Sequence, residues 1–109
     1  MAEQKKDERT VRVHAREQDG IVQVKALIRH PMETGLRRDP TTGGFWPEHI
    51  ITEGVVWVNG ELVLEMQWSI AISRNPFIEF RYRGKKGDRI DLRLADDQDT
   101  IFEGSGVVK

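Results

Sequence analysis

The chain alternates with a period of 2. From Ile21 to Arg29, Val22, Val24, Ala26 and Ile28 fall on one side, with Gln23, Lys25 and Arg29 opposite. Leu62, Leu64, Met66 and Trp68 form a second row against Glu61, Val63, Glu65 and Gln67. Ile78, Phe80 and Tyr82 alternate with Glu79, Arg81 and Arg83, and Ile90, Leu92 and Leu94 with Arg89, Asp91 and Arg93. Successive side chains of a strand point to opposite faces, so each run reads as a half-buried antiparallel strand with one wet face. No segment sustains the 3.6-residue period of an amphipathic helix.

Turn chemistry separates the runs. Asp19-Gly20 divides a first short strand, around Thr10 to His14, from the second. Asn59-Gly60 is the strongest hairpin signal, because a type I′ turn needs positive φ at both central residues. That turn predicts Trp57 opposite Leu62 and Val55 opposite Leu64, with Trp57 and Trp68 in the core. Gly84-Lys85-Lys86-Gly87-Asp88 reads as another hairpin loop and Asp96-Asp97-Gln98-Asp99 as a third, before a last strand from about Thr100 to Val108. About seven short strands with turns at roughly 8–12-residue spacing predict an all-β, immunoglobulin-like β-sandwich of antiparallel strands. Residues 1–9 read as a flexible charged tail and 10–109 as the sandwich domain.

Composition narrows the function classes. The 109 residues suffice for one domain. A net charge of −1, from 17 Lys+Arg and 18 Asp+Glu, gives no overall electrostatic case for nucleic-acid binding. The chain has no cysteine, which excludes thiol nucleophiles, disulfides and zinc-thiolate or iron–sulfur sites within it. Met1 to Arg9 is charged and lacks the apolar core of a secretory signal. No apolar run approaches the roughly 18 residues of a membrane-spanning helix. No membrane contact and no export label of its own are expected.

Two stretches break the alternation. His30 to Pro47 holds three of the four prolines and no period, and a loop of that length in a small domain is commonly functional. Ser73-Arg74-Asn75-Pro76-Phe77 is a second irregular patch, leading into a strand.

The residue inventory argues against an enzyme. His14, His30 and His49 raise a metal hypothesis in which Glu33 and Glu48 join His30 and His49, but no pair has tight ligand spacing. An iron superoxide reductase, whose immunoglobulin-like domain also carries a His-Pro loop, needs four histidines and a cysteine; this chain is two ligands short. Ser69 and Ser73 have no His-Asp pair placed beside them, and there is no nucleophile elbow or phosphate loop. No catalytic residue, metal or cofactor is expected.

Charge and aromatic residues bear on partners instead. Arg81 to Arg89 holds five bases against Asp88, whereas Asp96 to Glu103 holds four acids and no base. The simple reading is two solvated hairpin faces; the functional one is a dipolar surface that orients a partner. Phe45-Trp46, inside the irregular loop, either packs back on the domain or anchors a partner.

With both irregular stretches in view, the chain resembles the SoxZ family, the smaller subunits of SoxYZ sulfur carriers. The residues that carry the resemblance are Leu27-Ile28-Arg29-His30-Pro31-Met32-Glu33-Thr34-Gly35, then Arg37, Asp39, Pro47 and Ile50-Ile51. Asn59-Gly60, the run from Trp68 to Phe77 and Gly87-Asp88 complete it, over about Thr10 to Val108. The aromatic pair Phe45-Trp46 stands where relatives more often have a short aliphatic approach to the proline.

The resemblance implies an immunoglobulin-like subunit that forms a heterodimer, or a higher assembly, with SoxY. The C-terminal Gly-Gly-Cys-Gly-Gly arm of SoxY carries thiosulfate-derived intermediates between periplasmic Sox enzymes, with which contacts would be transient. It implies residence in the periplasm by co-export with a signal-bearing SoxY. The surface expected to serve the partner or its arm comprises His30, Pro31, Met32, Glu33, Arg37, Arg38, Trp46, Asn75 and Pro76, with Arg37 and Arg38 drawing an anionic sulfur adduct. The competing reading is a free-standing immunoglobulin-like module that binds a ligand or another protein.

Overall fold

A computed structural model describes residues 10–69, 72 and 74–109. The expected flexible tail, and Ile70, Ala71 and Ser73 of the second motif, lie outside the described residues. Seven strands follow in order: β1 Thr10–Gln18, β2 Ile21–Arg29, β3 Ile51–Val58, β4 Glu61–Gln67, β5 Phe77–Arg83, β6 Arg89–Asp96 and β7 Ile101–Val107. They form a three-stranded sheet, β1-β2-β5, and a four-stranded sheet, β4-β3-β6-β7, all antiparallel. The expected β-sandwich is the observed fold.

Both two-residue hairpins are of the expected kind. Asp19 and Gly20 sit at φ 53° and 80°, Asn59 and Gly60 at 51° and 81°. These left-handed values match the twist of the flanking strands.

The loop 84–88 is not a hairpin, contrary to the expectation. It carries the chain from β5, paired with β2, across to β6, paired with β3 and β7. Gly and Lys mark a turn equally well whether or not its flanking strands pair. Asp88 ties this crossing to the β3–β4 turn, accepting from Asn59 Nδ2 at 3.1 Å, Tyr82 Oη at 2.9 Å and the Lys85 N–H at 3.0 Å. Those donors, the Lys85 amide foremost, hold its carboxyl below the usual carboxylate range. Burial, with the Asp88 carboxylate beside it, pushes the Tyr82 phenol above its ordinary value.

Among the described residues fifteen apolar side chains are buried, led by Val22, Val24, Ile51, Val56, Ile90 and Leu94. Trp57 is not among them, contrary to the expectation. A register shift between Val56 and Trp57 skips Val63, so Val56 meets Leu64 and Val55 meets Glu65, although Trp57 does oppose Leu62. Val56 and Val58 therefore point inward, while Trp57 lies on the outer face beneath Arg93, whose guanidinium carbon is 5.1 Å from the ring centroid. Trp68 is only half-buried against the core.

The sandwich closes where β7 crosses β1. A Cβ on Gly104 or Gly106 would stand 2.7 Å from the Val11 or Val13 carbonyl oxygen, so glycine lets the backbones approach. Lys109 completes that edge, donating to the Ala15 carbonyl and accepting from the Glu17 N–H.

Candidate functional site

The stretch between β2 and β3 folds into an antiparallel finger. Glu33 and His49 exchange both backbone hydrogen bonds at 2.8 Å. Further out, the Trp46 N–H donates to the Arg37 carbonyl at 2.9 Å and the Asp39 N–H to the Gly44 carbonyl at 2.8 Å. The tip turns at Gly43, whose φ of 77° suits glycine. Side chains pair across the finger: the Arg37 guanidinium sits 4.9 Å from the Trp46 ring centroid and Arg38 5.7 Å from that of Phe45. Arg37 also donates from Nε and Nη2 to Glu33 Oε1, at 2.9 and 2.6 Å.

A polar node anchors the root of the finger. His30, Asp96 and Met32 are buried, and His49 is nearly so. His30 Nδ1 accepts the Met32 N–H at 3.0 Å, so the proton of the neutral ring belongs on Nε2, which faces Asp96 Oδ2 at 3.2 Å. His49 Nε2 reaches the same oxygen at 2.8 Å. Asp96 Oδ1 accepts the N–H groups of Gln98 and Thr100, at 3.1 and 3.0 Å. The two imidazoles meet edge to face at 4.5 Å between centroids, and His30 stacks on Phe102 at 5.9 Å. Met32, at φ 48°, turns its sulfur to the Ile51 N–H at 3.3 Å.

The second irregular patch meets the first at this root. Asn75 Oδ1 accepts the His30 N–H at 3.0 Å, and the Asn75 N–H donates to the His30 carbonyl at 2.9 Å. The buried Pro76 offers its carbonyl to the Ile28 N–H at 3.1 Å.

The residues singled out from the sequence thus divide. His30, Met32, Asn75 and Pro76 sit at the root and shape it. Glu33, Arg37, Arg38 and Trp46 lie along the finger, with Pro31 half-buried beside His30. Leu36, Phe45 and Trp46 are exposed on the finger, 72%, 59% and 37% accessible. Asp96 and Phe102 were missed, because Asp96 reads as one more acid of a turn. The acidic run is not one surface: Asp96 is buried, and Glu103 pairs with Arg93 at 2.9 Å.

His30, His49 and Asp96 offer three ligand atoms within 4.8 Å of one another. The donor set does not fit a resident metal. A cation between the rings needs the Nε2 lone pairs, whereas the bond from Met32 commits His30 Nδ1 as acceptor and leaves the ring's proton on Nε2. Glu33 and Glu48 do not join: Glu33 is engaged by Arg37 and Glu48 is exposed. His14 lies on the outer face of β1. Among the described residues no serine, histidine and carboxylate assemble into a nucleophile triad. The node is suited to fixing a loop.

Architecture defines the class first: a seven-stranded immunoglobulin-like sandwich whose fold is shared with superoxide reductases. A superoxide reductase (neelaredoxin) variant from Ignicoccus hospitalis superposes with TM-score 0.65 at 16% identity, over 94% of this chain and 82% of that one. A hypothetical protein from Pyrococcus horikoshii gives 0.66 at 16%, over 94% and 91%. The superoxide reductase from Nanoarchaeum equitans gives 0.64 at 6%, over 95% of each. These likenesses concern fold alone. A search of curated proteins finds no match. Within that class the family is specific: residues 11–106 match the sulphur oxidation protein SoxZ, and the chain belongs to the SoxZ family. Its role lies in sulfur oxidation.

Proposed function

We propose that this chain is the non-catalytic subunit of a sulfur carrier, pairing with a SoxY whose C-terminal cysteine holds the sulfur intermediate. The observation that carries the reading is the saturated His30–Asp96–His49 node. The residues most suggestive of chemistry spend their hydrogen bonds on one another and on the backbone at the root of the finger. They position a surface, and the reactive thiol belongs to the partner, consistent with a chain that has no cysteine. Family membership supports Sox partners in general, and SoxY is the partner proposed. The compartment proposed is the periplasm, reached by co-export with SoxY.

Coexpression with a SoxY, followed by light scattering, tests the pairing. A 1:1 complex that survives dilution is expected. A monomer that ignores SoxY would reduce the reading to a free-standing binding module. Replacing Arg37 and Arg38 by Ala is expected to leave the complex intact while slowing turnover of the loaded carrier. Unchanged turnover removes the finger from the mechanism.

A further inference from the structure

The outer face of the β1-β2-β5 sheet concentrates positive charge that the sequence scatters over three strands. Alternation turns Arg12, His14 and Arg16 of β1 outward, Lys25, Leu27 and Arg29 of β2, and Phe77, Glu79, Arg81 and Arg83 of β5; all ten are exposed. Register sets them side by side: Arg12 opposite Leu27, Leu27 opposite Phe77, His14 opposite Lys25, Lys25 opposite Glu79. The face holds six Arg and Lys against one carboxylate, a net +5 on a chain whose total is −1. That one carboxylate, Glu79, is engaged by the Gln23 side-chain amide. Among the described residues, none of the six cations is held in an ion pair.

Six unneutralised cations on one flat sheet repel each other and gain nothing for the isolated fold. They favour an anionic surface brought against them. Toward one end of the face Leu27 and Phe77 are 47% and 52% accessible and adjacent across the strands, with Arg12 opposite Leu27 and Lys25 in the next row. An apolar pair on a face whose cations are mainly arginine rather than lysine has the composition of a protein interface, where aromatic residues and Arg anchor the contact. A phosphate lattice would leave Leu27 and Phe77 without a counterpart. Lying flat in a sheet, and not on a protruding tip, they are also poorly placed to enter a bilayer. The face measures about 25 Å along the strands and about 15 Å across, at ordinary strand spacings. That is small for a permanent interface and suits a brief encounter.

We propose that this face is a docking site for an acidic protein surface that carries an apolar contact for Leu27 and Phe77, engaged transiently and steered by charge. The inference is independent of the finger and of the pairing with SoxY.

The test is a nuclear magnetic resonance titration of the ¹⁵N-labelled chain with a synthetic peptide in which glutamates flank a Leu-Phe pair. Expected are shift changes confined to β1, β2 and β5, and an affinity that falls about tenfold or more between low salt and about 0.15 M. Arg12→Glu with Arg81→Glu should abolish binding while spectral dispersion is retained, since both side chains are solvent-facing. Phe77→Ala should weaken binding severalfold with the same salt dependence, and Lys85→Glu with Lys86→Glu should leave it unchanged. No binding, shifts centred on the 84–88 loop, or charge-reversed chain that binds as well would each overturn the proposal. Tighter binding of a DNA duplex or of phosphatidylglycerol vesicles would overturn it too, by assigning the face to phosphates. So would salt-sensitive self-association through this face.

Discussion

Asn75 holds the peptide groups of His30 from both sides, accepting its N–H on Oδ1 at 3.0 Å and donating its own N–H to the His30 carbonyl at 2.9 Å. The clamp explains why the two stretches that break the strand pattern occur in one chain: the second is the template for the turn that begins the first. Asn75 itself sits at φ 50°, a left-handed conformation that asparagine tolerates better than most residues.

Replacing Asn75 by Ala removes the acceptor for a part-buried N–H and strains the backbone, a loss of about 2–3 kcal/mol. Asn75→Gly is expected to recover about 1 kcal/mol of this, the backbone share. Asn75→Asp keeps an acceptor in place and should stay near the parent. Urea denaturation gives the order, and an alanine variant as stable as the parent would show that the clamp carries no weight.

Asp96 is the centre of the root, receiving two imidazole Nε2 groups and two backbone N–H groups. Asp96→Ala leaves the buried His30 donor and three part-buried ones unanswered, and a cost of roughly 3 kcal/mol is expected. The geometry further requires His30 to carry its proton on Nε2 when neutral, because Nδ1 accepts from Met32. Long-range ¹H–¹⁵N spectra of the ring report the tautomer directly; a neutral ring protonated on Nδ1 would contradict this structure.

Much of the fold was legible because alternation and turn residues are local signals. Val22, Val24, Ala26 and Ile28 face inward as their spacing dictates, and both Xaa-Gly turns have the required φ. Trp57 does oppose Leu62 as the Asn59-Gly60 turn dictates, but the skipped Val63 sets Leu62 apart from Leu64 and Met66, so that pair lies on the outer face. The loop 84–88 was misread because pairing between sheets is decided by distant strands. At the site, His30 and Asn75 stood out by breaking the pattern. Asp96 did not, since it lies 66 residues from His30 and its burial follows from where β6 ends.

Acid should weaken the tie between the two turns at Asp88. Its carboxyl is held below the ordinary 3.8 by the Lys85 amide first, then by Asn59 and Tyr82. A carboxyl lower in the folded than the unfolded chain contributes stability that is fully present above the unfolded value and is lost as pH falls through the folded one. The stability difference between the parent and Asp88→Asn should therefore be constant above about pH 5 and shrink below pH 3.8. A difference that stays level through that window would detach Asp88 from the effect.

Tyr82 supplies the opposite limb. Burial, and then the Asp88 carboxylate, raise its phenol above 10.0, so its contribution is present below that value and lost as pH rises through the folded one. It is the one tyrosine of the chain, so its ultraviolet titration is read without assignment. Ionisation should be delayed beyond pH 10.0 in the parent and return toward that value in Asp88→Asn, if the variant remains folded at alkaline pH.

Gly104 and Gly106 set how closely the two sheets meet. A methyl group at either position would stand 2.7 Å from a β1 carbonyl oxygen, a backbone atom that moves only if the strand moves. Each single alanine substitution is expected to cost about 1–3 kcal/mol as overpacking. The two sites are neighbours on one strand and share the same partner. Once the first substitution has displaced β1, the second should cost less than it does alone, so the double variant falls short of the sum. Denaturation of the three variants measures this. Full additivity would mean that β1 yields locally at each carbonyl and does not shift as a unit.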